Sequence, residues 1–532
     1  TYEENTGFLL QVTNALGHMT TLAADPNHLP GTFTDPRGNR TTFIYASTGL
    51  LSAATDPTRA TATFSYDPAG RLLEVTDALS GTIRSTYDLR GRLLAVTDPL
   101  GAVTQFRYDL AGNRVGLTDP NGRVTSYTYH AANRLIAVTD ASGGTTSYSY
   151  DTEGNLLRVT DTQGQTTAFA SDAHNRLVTR TDPLGKAETF AYDAAGNLVS
   201  RTDRKGQTVT YAYDGLNRLA QKTLPAGVTV SYTYDPLGRL LSATDLDGPL
   251  PFTYDLLGRV QSTISQDSRT LNFTYDPAGN RIGLQDETGH VTSYTYDPRN
   301  LLATLTDPRT GTFDFAYDPL GRRIRLTRPN GTITTYGYDA ASRVAGLTHS
   351  GRKWPFEALS YSYDPSGNRI TDTRNETKHQ YTHDPLDQLT QVQIREHRSR
   401  WRVEEAYFYD AVGNRLAGPD RQTYQYAAAN RLTQDRTHTY AYDANGNLIQ
   451  KVRRKNGALT TYAYDPEDRL IRVVTPRTEV TFQYDPLGRR TEKRVIRWED
   501  EDGDHEPDPE EERPPRVIRY LYDHEDILAT FG

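Results

Sequence analysis

The sequence predicts an all-β protein in which antiparallel β-hairpins repeat along the chain and form a hollow or open shell. Three observations support this prediction: a Tyr-centred motif recurs every 21 residues, each repeat contains two tight turns, and the segments between turns have strand length. The 532 residues include 35 Tyr and 15 Phe, which is not a disordered composition. A mean hydropathy of -0.68 is nevertheless too polar for large compact cores.

The repeat is marked by Tyr-Asp, which occurs eighteen times, usually in strings such as YDPAGR, YDPLGR or YDAAGN. With this Tyr as the anchor, the repeats follow one another at 21-residue spacing from Tyr45 to Tyr338, apart from one step of 20. Later anchors are 16 to 38 residues apart, and Tyr522 is the last of 23. The spacing therefore predicts a regular array over residues 1–350 and an irregular continuation of the same shell over residues 351–532.

A first turn directly follows the anchor. The position four residues after it contains 14 Gly, five Asn, three Asp and one Ser. Because Gly, Asn and Asp tolerate a positive φ, this column predicts a left-handed residue in a tight reversal. The Asp after the anchor, often followed by Pro, is predicted to initiate the turn rather than to act in catalysis. The predicted structural turn residues include Gly70, Gly91, Gly112, Gly238, Gly279, Gly321 and Gly488.

A second turn lies about ten residues later, as in the DPLG string of residues 98–101. Two turns leave two segments of five to seven residues, rich in Thr, Val, Leu and Tyr, which is typical of strands. Twenty-three hairpins would give about 46 strands, and open sheets rarely exceed about ten without curling, so a hollow or open structure follows. A propeller would need about eleven blades, and paired turns favour hairpins over a parallel solenoid.

Strand alternation places the anchor and the residue two positions before it on one face, as for Tyr127 and Tyr129. Small polar residues usually occupy the other face. Two interpretations of this aromatic stripe remain open: packing of a sheet that has little core, or a platform for a ligand. The predicted aromatic ladder consists of Tyr66, Tyr87, Tyr108, Tyr129, Tyr150, Tyr192, Tyr213 and Tyr234.

The string Tyr-Asp-x-x-Gly-Arg or Gly-Asn-Arg, followed by Leu and Thr-Asp-Pro-x-Gly, resembles the YD or Rhs repeat over Gly7 to Phe531. That family includes bacterial Rhs polymorphic toxins, Tc toxin components, wall-associated contact-dependent toxins and teneurins. The resemblance implies a spiral of β-hairpins that forms a hollow cocoon. In the toxin members the cocoon encloses a C-terminal toxic domain, and in teneurins the shell belongs to a cell-surface adhesion protein.

Toxin members of the family end their repeats in a plug with an Asp-dependent self-cleavage site, followed by a variable toxin domain. After Tyr522 this sequence reaches Gly532 without a recognisable plug or toxin segment, and no leader follows Thr1. We therefore expect a shell portion of a longer bacterial protein that is secreted or displayed on the cell surface. No catalytic residue transfers from the family.

A separate search for reactive groups predicts no enzyme, cofactor or metal site. The chain has no Cys, and it lacks HExxH, Walker, GxGxxG and GxSxG motifs in the required contexts. No run of about 18 apolar residues is present to span a membrane. The chain has a net charge of -8, and residues 499–512 hold ten acidic residues, so the remainder carries a net charge of +2. Such a nearly neutral remainder lacks the strong positive charge that is typical of nucleic-acid binding. We expect the acidic run to be a solvated loop, with an acidic-partner mimic as the alternative.

Partner recognition is predicted at the irregular repeats, where all three Trp of the chain occur, namely Trp354, Trp401 and Trp498. Loops on a rigid scaffold and Trp residues are both common in binding sites, although the same residues would also seal gaps in an uneven shell. The sequence thus predicts a structural shell that encloses or displays a C-terminal toxin or other cargo. The alternative is an extracellular adhesion module that recognises glycans or a cell-surface receptor.

Overall fold

The computed structural model describes residues 1–2, 7–351, 355–397, 399–419, 422–498, 512–523 and 526–531. In these ranges the chain forms 51 β-strands and two three-residue 3-10 turns, Pro225–Gly227 and Ala428–Asn430, and no α-helix. The predicted all-β fold of antiparallel hairpins is therefore confirmed.

The first strands are β1 Gln11–Thr13, β2 Met19–Ala24, β3 Pro30–Thr34, β4 Arg40–Tyr45, β5 Leu51–Thr55, β6 Thr61–Tyr66, β7 Leu72–Thr76, β8 Thr82–Tyr87, β9 Leu93–Thr97, β10 Val103–Tyr108, β11 Arg114–Thr118, β12 Val124–Tyr129, β13 Leu135–Thr139, β14 Thr145–Tyr150, β15 Leu156–Thr160, β16 Thr166–Ser171, β17 Leu177–Thr181, β18 Ala187–Tyr192, β19 Leu198–Thr202, β20 Thr208–Tyr213, β21 Leu219–Thr223, β22 Thr229–Tyr234, β23 Leu240–Asp245 and β24 Gly248–Tyr254. They are followed by β25 Val260–Ile264, β26 Thr270–Tyr275, β27 Arg281–Gln285, β28 Val291–Tyr296, β29 Leu302–Asp307, β30 Gly311–Tyr317, β31 Arg323–Thr327, β32 Ile333–Tyr338, β33 Val344–Ser350, β34 Pro355–Tyr363, β35 Arg369–Arg374, β36 Thr377–His383, β37 Leu389–Glu396 and β38 Arg402–Ala406. The last strands are β39 Phe408–Tyr409, β40 Arg415–Gly418, β41 Gln422–Thr423, β42 Gln425–Ala427, β43 Arg431–Gln434, β44 His438–Tyr442, β45 Leu448–Arg453, β46 Leu459–Tyr464, β47 Leu470–Thr475, β48 Thr478–Tyr484, β49 Arg490–Trp498, β50 Glu512–Asp523 and β51 Asp526–Phe531.

Strands pair antiparallel with their neighbours in the sequence, and the register shifts at the anchor Tyr. In the β12–β13 hairpin, Tyr127 lies opposite Val138, whereas Tyr129 lies opposite Leu135. Val138 and Leu135 are three residues apart and would face opposite sides of a regular strand. The bulge places both on the face that carries the two Tyr, so aromatic and aliphatic side chains share that face.

The contacts divide the chain into two compact units, and each of them combines early and late repeats. Unit 1 comprises residues 1–143, 254–262 and 271–405, and unit 2 comprises residues 144–253, 263–270 and 406–532. The buried apolar residues of unit 1 are Leu271, Phe273, Leu284, Tyr294, Leu326, Val392 and Ile394. Those of unit 2 are Val209, Leu224, Val230, Ala243, Leu250 and Leu521. Because these sets are small, polar contacts at the turns must contribute to the cohesion of each unit.

Within the part of the chain that the structure describes, no helix is long and apolar enough to cross a membrane. The same residues contain no group of three or more His, Asp or Glu arranged to hold a metal ion.

Candidate functional site

The turn after the anchor, here called the YD turn, is organised by its Asp. In the repeat of Tyr234, the Gly238 N–H donates to the Asp235 carbonyl and the Asp235 N–H donates to the Arg239 carbonyl, each at 3.0 Å. Asp235 Oδ1 accepts the backbone N–H groups of Leu237 and Arg239, both at 2.9 Å. The Asp therefore satisfies the polar groups of the reversal in the manner of an Asx turn.

The column four residues after the anchor is left-handed wherever it contains Gly or Asn. The turn glycines have φ between 77° and 99°, namely Gly70, Gly91, Gly112, Gly238, Gly279, Gly321 and Gly488. The Asn residues of the same column have φ between 58° and 64°, namely Asn133, Asn175, Asn217, Asn300 and Asn430. Gly and Asn are the residues that adopt this conformation most readily.

The residue five positions after the anchor completes the turn when it is Arg. In the repeat at Ser171, Arg176 Nε donates to Asp172 Oδ2 at 2.8 Å. The Arg176 side chain and its backbone N–H lower the pKa of Asp172 to about 2. The pKa of the corresponding Asp67 and Asp214 is also lowered. The largest cause in both is the hydrogen bond from the backbone N–H of the Arg four residues later. These carboxylates are ionised hydrogen-bond acceptors that are fully engaged in their turns.

The same Arg ties its turn to the next repeat. Arg176 Nη1 donates to the Asp193 carbonyl at 3.0 Å, and its guanidinium lies 4.8 Å from the ring centre of Tyr192. The Tyr192 hydroxyl donates back to the Leu177 carbonyl at 2.9 Å. Equivalent bonds to the next Asp carbonyl are made by Arg71, Arg92, Arg218, Arg259, Arg322 and Arg343.

Where Asn replaces that Arg, the connection changes partner. Its Nδ2 donates to the side chain of the left-handed Asn or Asp in the next repeat, as from Asn197 to Asn217 Oδ1 at 3.0 Å. All seven such Asn residues are followed by Asn or Asp in the next left-handed position. The pairs are Asn113–Asn133, Asn155–Asn175, Asn197–Asn217, Asn280–Asn300, Asn368–Asp387, Asn414–Asn430 and Asn447–Asp468. The sequence reasoning missed this correlation, although it can be read from the repeats by comparing each with its neighbour.

Where Arg makes the connection, Gly usually occupies the next left-handed position. A Cβ added to Gly91 would lie 3.8 Å from Arg71 Cδ, and one added to Gly446 would lie 3.5 Å from Arg431 Nη2. These are ordinary van der Waals distances, and after Arg322 the position is occupied by Ser342, whose hydroxyl accepts a hydrogen bond from Arg322 Nη1 at 3.0 Å. The residue in the left-handed column therefore correlates with the connection that the preceding repeat makes: Asn or Asp follows Asn, and Gly usually follows Arg.

A second set of contacts, here called the seam, joins distant repeats within each unit. In unit 1, Arg37 donates from its second turn to Asn300 Oδ1 and to the Tyr296 carbonyl, both at 2.9 Å. Arg123 likewise donates to the Asp384 carbonyl at 3.2 Å and lies 2.6 Å from Asp387 Oδ1. In these contacts second turns of early repeats supply cationic donors and YD turns of later repeats supply acceptors, whereas Ser366 of a YD turn donates in the opposite sense to Asp119 Oδ2 at 3.1 Å.

In unit 2 the cations come from the second-turn residue Lys205 and from Lys222 in β21. Lys205 Nζ lies 3.2 Å from Asp468 Oδ1 and 3.4 Å from Asp443 Oδ2, and Lys222 Nζ lies 2.5 Å from Glu467 Oε1. Burial lowers the pKa of Lys205, but the hydrogen bond to Asp468 and the negative charges of Asp468, Asp443 and Asp203 together raise it. Seam hydrogen bonds in both units join residues 241 to 265 positions apart, or about twelve repeats.

The predicted aromatic ladder lies at strand ends throughout, and most of its hydroxyls are used within the array. Tyr87, Tyr192, Tyr213 and Tyr234 each donate to a backbone carbonyl 15 residues earlier at 2.9 Å, and Tyr129 does so at 3.0 Å. Tyr66, Tyr108 and Tyr150 end β6, β10 and β14 in the same way.

Of the predicted partner residues, the structure places Trp401 at the surface. Its side chain is 39% exposed, and the Arg395 guanidinium lies 4.9 Å from its ring centre. Trp354 and residues 499–511 of the acidic run lie outside the described residues, and Trp498 is described only as the last residue of β49. A partner role for the three Trp remains a prediction.

Family models match most of the regular and irregular repeats. The RHS Repeat model matches residues 45–82, 87–124 and 317–353, and the Teneurin YD-shell model matches residues 123–250 and 369–497. This chain belongs to the YD/Rhs-repeat family. The YD/Rhs repeats recognised in the sequence are therefore confirmed.

Curated relatives of this YD/Rhs chain include two much longer bacterial proteins. The chain is 34% identical over 151 residues to double-stranded DNA deaminase toxin A of Burkholderia cenocepacia, which is 27% of this chain and 10% of that protein. It is 28% identical over 153 residues to the probable deoxyribonuclease RhsB of Dickeya dadantii, which is 28% of this chain and 10% of that protein. The matched stretch thus spans about a tenth of either relative.

Solved structures with the same fold include Tc toxin components. TcdB2-TccC3-TEV gives a TM-score of 0.55 at 16% identity, over 95% of this YD/Rhs chain and 33% of that chain. A Photorhabdus luminescens Tc holotoxin pore gives a TM-score of 0.54 at 15% identity, again over 95% and 33%. The YD/Rhs chain therefore has the repeat-shell fold of the Tc toxin type.

Proposed function

We propose that this chain is a non-catalytic wall segment of a bacterial toxin shell, secreted or displayed at the cell surface, that encloses an effector belonging to the same protein. The proposal rests on one observation, which is that hydrogen bonds join the hairpins in two directions. Hairpins pair laterally along the chain, and the seams join early repeats, mostly at their second turns, to YD turns 241 to 265 residues away. A closed wall needs both directions, whereas an isolated ribbon of hairpins needs only the first.

The relatives support an effector as the enclosed partner. Their names describe a DNA deaminase toxin and a probable deoxyribonuclease, while the shared stretch covers 10% of each. We take that stretch to be part of the container and assign the chemical activities of those proteins to their other segments.

The chemistry of the commonest carboxylates supports a non-catalytic role. A general acid or base works best with a pKa near the operating pH. Asp172 has its pKa lowered to about 2 by Arg176, and it accepts the backbone N–H groups of His174 and Arg176. Such a carboxylate holds a turn together and is a poor proton acceptor at neutral pH.

The test uses the full-length protein and a protease that cleaves an unfolded or exposed effector. We expect the effector to survive digestion in the wild type and to be cleaved in a seam variant with Arg123→Ala, Lys205→Ala and Lys222→Ala. The control carries Arg84→Ala and Arg472→Ala, whose side chains are 60% and 51% exposed and lie outside the seams. Hydrogen exchange must show that strand pairing persists in both variants. Cleavage of the effector at the same rate in the wild type and as a free domain would refute enclosure.

A second candidate, an extracellular module that binds glycans or a receptor, is favoured by the exposed aromatic groups of unit 1. Trp401 is 39% exposed and Phe356 is 60% exposed. Glycan-array binding that is lost in Trp401→Ala, in a full-length protein whose effector is not protected, would favour this candidate over enclosure.

A further inference from the structure

Three successive repeats place cations in a mostly apolar column on the aromatic face, which is the face that carries the anchor Tyr and the residue two positions before it. The column lies nine residues after the anchor, where Val138 faces Tyr127 across the hairpin. Neighbouring repeats contain Val or Leu there, namely Val75, Val96, Leu117, Val138 and Val159. The next three repeats instead contain Arg180, Arg201 and Lys222.

Two of these cations enclose one carboxylate. Arg180 Nη2 donates to Glu188 Oε2 at 2.7 Å, and Arg201 Nε donates to Glu188 Oε1 at 2.5 Å. The Glu188 side chain is 4% exposed, whereas those of Arg180 and Arg201 are 41% and 37% exposed. This Arg–Glu–Arg cluster of Arg180, Glu188 and Arg201 carries a net charge of +1, and both of its Arg side chains are partly exposed to solvent.

The cluster retains hydrogen-bonding capacity that a saturated structural ion pair would not. Each guanidinium has five N–H donors, and among the described residues each donates only to Glu188. Arg180 Nε is buried with no hydrogen-bond partner in that part of the chain. Lys222 differs, because its side chain is 11% exposed and paired with Glu467. Lys222 therefore takes part in the seam, whereas Arg180 and Arg201 do not.

We infer that the Arg–Glu–Arg cluster binds a carboxylate of an acidic polypeptide segment. Guanidinium groups pair with carboxylates through parallel N–H donors, and a site of net charge +1 suits one such anion. Phe169 lies opposite Arg180 and Phe190 lies opposite Arg201, so apolar surface adjoins the charged site for the aliphatic part of a Glu side chain. That the segment belongs to the enclosed effector rests on the proposed function; the binding itself does not.

The test compares two triple variants of the whole chain that change charge equally. The cluster variant, Arg180→Val, Glu188→Thr and Arg201→Val, restores residue types that other repeats have in these columns. The control variant is Arg472→Val, Glu479→Thr and Arg494→Val. Glu479 accepts two hydrogen bonds from Arg472 and interacts with Arg494, and the register places all three on the face opposite the aromatic one.

Binding is measured by fluorescence polarisation of a labelled oligoglutamate peptide, with oligoglutamine as the neutral probe. We expect the cluster variant to weaken oligoglutamate binding about tenfold and the control variant to change it less than about twofold. Added salt should weaken binding to the wild type. Circular dichroism reports folding, and if the triple variant unfolds, Arg180→Gln replaces it, because Glu188 then keeps Arg201 as its partner.

Equal losses in the two triple variants would show a general charge effect and overturn the inference. Absence of oligoglutamate binding to the wild type, or equal binding of oligoglutamine, would also overturn it. None of these results would alter protease protection of the effector in the full-length protein, so failure of this site and failure of the enclosure proposal are distinguishable.

Discussion

Replacing Gly238 by Val isolates the conformational requirement of the YD turn. Gly238 has a φ of 83°, and a Cβ built on it would meet no atom within 4 Å. Steric clash with neighbouring side chains therefore does not contribute, and the effect reports the backbone alone. A β-branched residue strongly disfavours this conformation.

Two estimates bound the loss of stability in Gly238→Val. If the substituted valine kept the left-handed conformation, the strain would be about 1–3 kcal/mol. If φ became negative, the turn would lose the hydrogen bond from the backbone N–H of this position to Asp235 and distort those that Asp235 Oδ1 accepts from Leu237 and Arg239, at about 0.5–1.5 kcal/mol each. The molecule adopts the less costly alternative, so we expect a loss of about 1–3 kcal/mol in the free energy of local opening.

Hydrogen exchange of the β22–β23 hairpin is the assay, because repeat arrays open locally and a single global transition is not assured. Protection in this hairpin should fall roughly five- to 150-fold in Gly238→Val. Gly238→Asn should change protection by less than about threefold, since Asn already occupies this column at positive φ. Thr233→Ala, at an exposed position of β22, is the surface control and should stay within about 0.5 kcal/mol. Equal protection in the Val and Asn variants would refute the left-handed turn as the source of stability.

Three further predictions concern the connections between repeats. In a double-mutant cycle on unfolding stability, Asn197→Ala and Asn217→Gly should couple by about 0.5–1 kcal/mol, whereas additive effects would contradict the inter-repeat hydrogen bond. Tyr234→Phe should destabilise its hairpin by about 1 kcal/mol in hydrogen exchange, because the variant loses the hydrogen bond from the Tyr234 hydroxyl to the Leu219 carbonyl at 2.9 Å. Tyr211→Phe, two residues before an anchor, should have less effect. Asp172 has its pKa lowered from 3.8 to about 2, so its contribution to stability is complete above about pH 5 and declines as the pH falls towards 2. Stability measured against pH should therefore fall less steeply over this range in Asp172→Asn, and parallel curves would contradict the assignment.

The hairpins were predictable because every signal for them is local and repeated. The left-handed column, the Asp that initiates the turn and the alternation of Tyr127 with Thr128 all act within one repeat, and 23 copies average out local exceptions. The Asn197–Asn217 connection is not evident from a single repeat, because the donor and the acceptor lie in the same kind of turn of two successive repeats.

The seams were beyond local reasoning for a different reason. The bond between Arg37 and Asn300 joins residues 263 positions apart, and its register depends on how a twisted sheet curls over about twelve repeats. A small change in twist at each strand would accumulate and shift the pairing to another turn. The Arg–Glu–Arg cluster is also not evident from the sequence. Arg180 and Arg201 are ordinary partly exposed cations when considered separately, and only their shared contact with the buried Glu188 identifies the cluster.

Electron cryomicroscopy of the full-length protein tests the central claim most directly. If this chain is a wall segment of a toxin shell, the map will show β-hairpins of early and late repeats joined along the seams. Density for the effector will lie inside the wall that these hairpins form. Effector density wholly outside the repeats, or hairpin layers that make no contact between Lys205 and Asp468, would contradict the account.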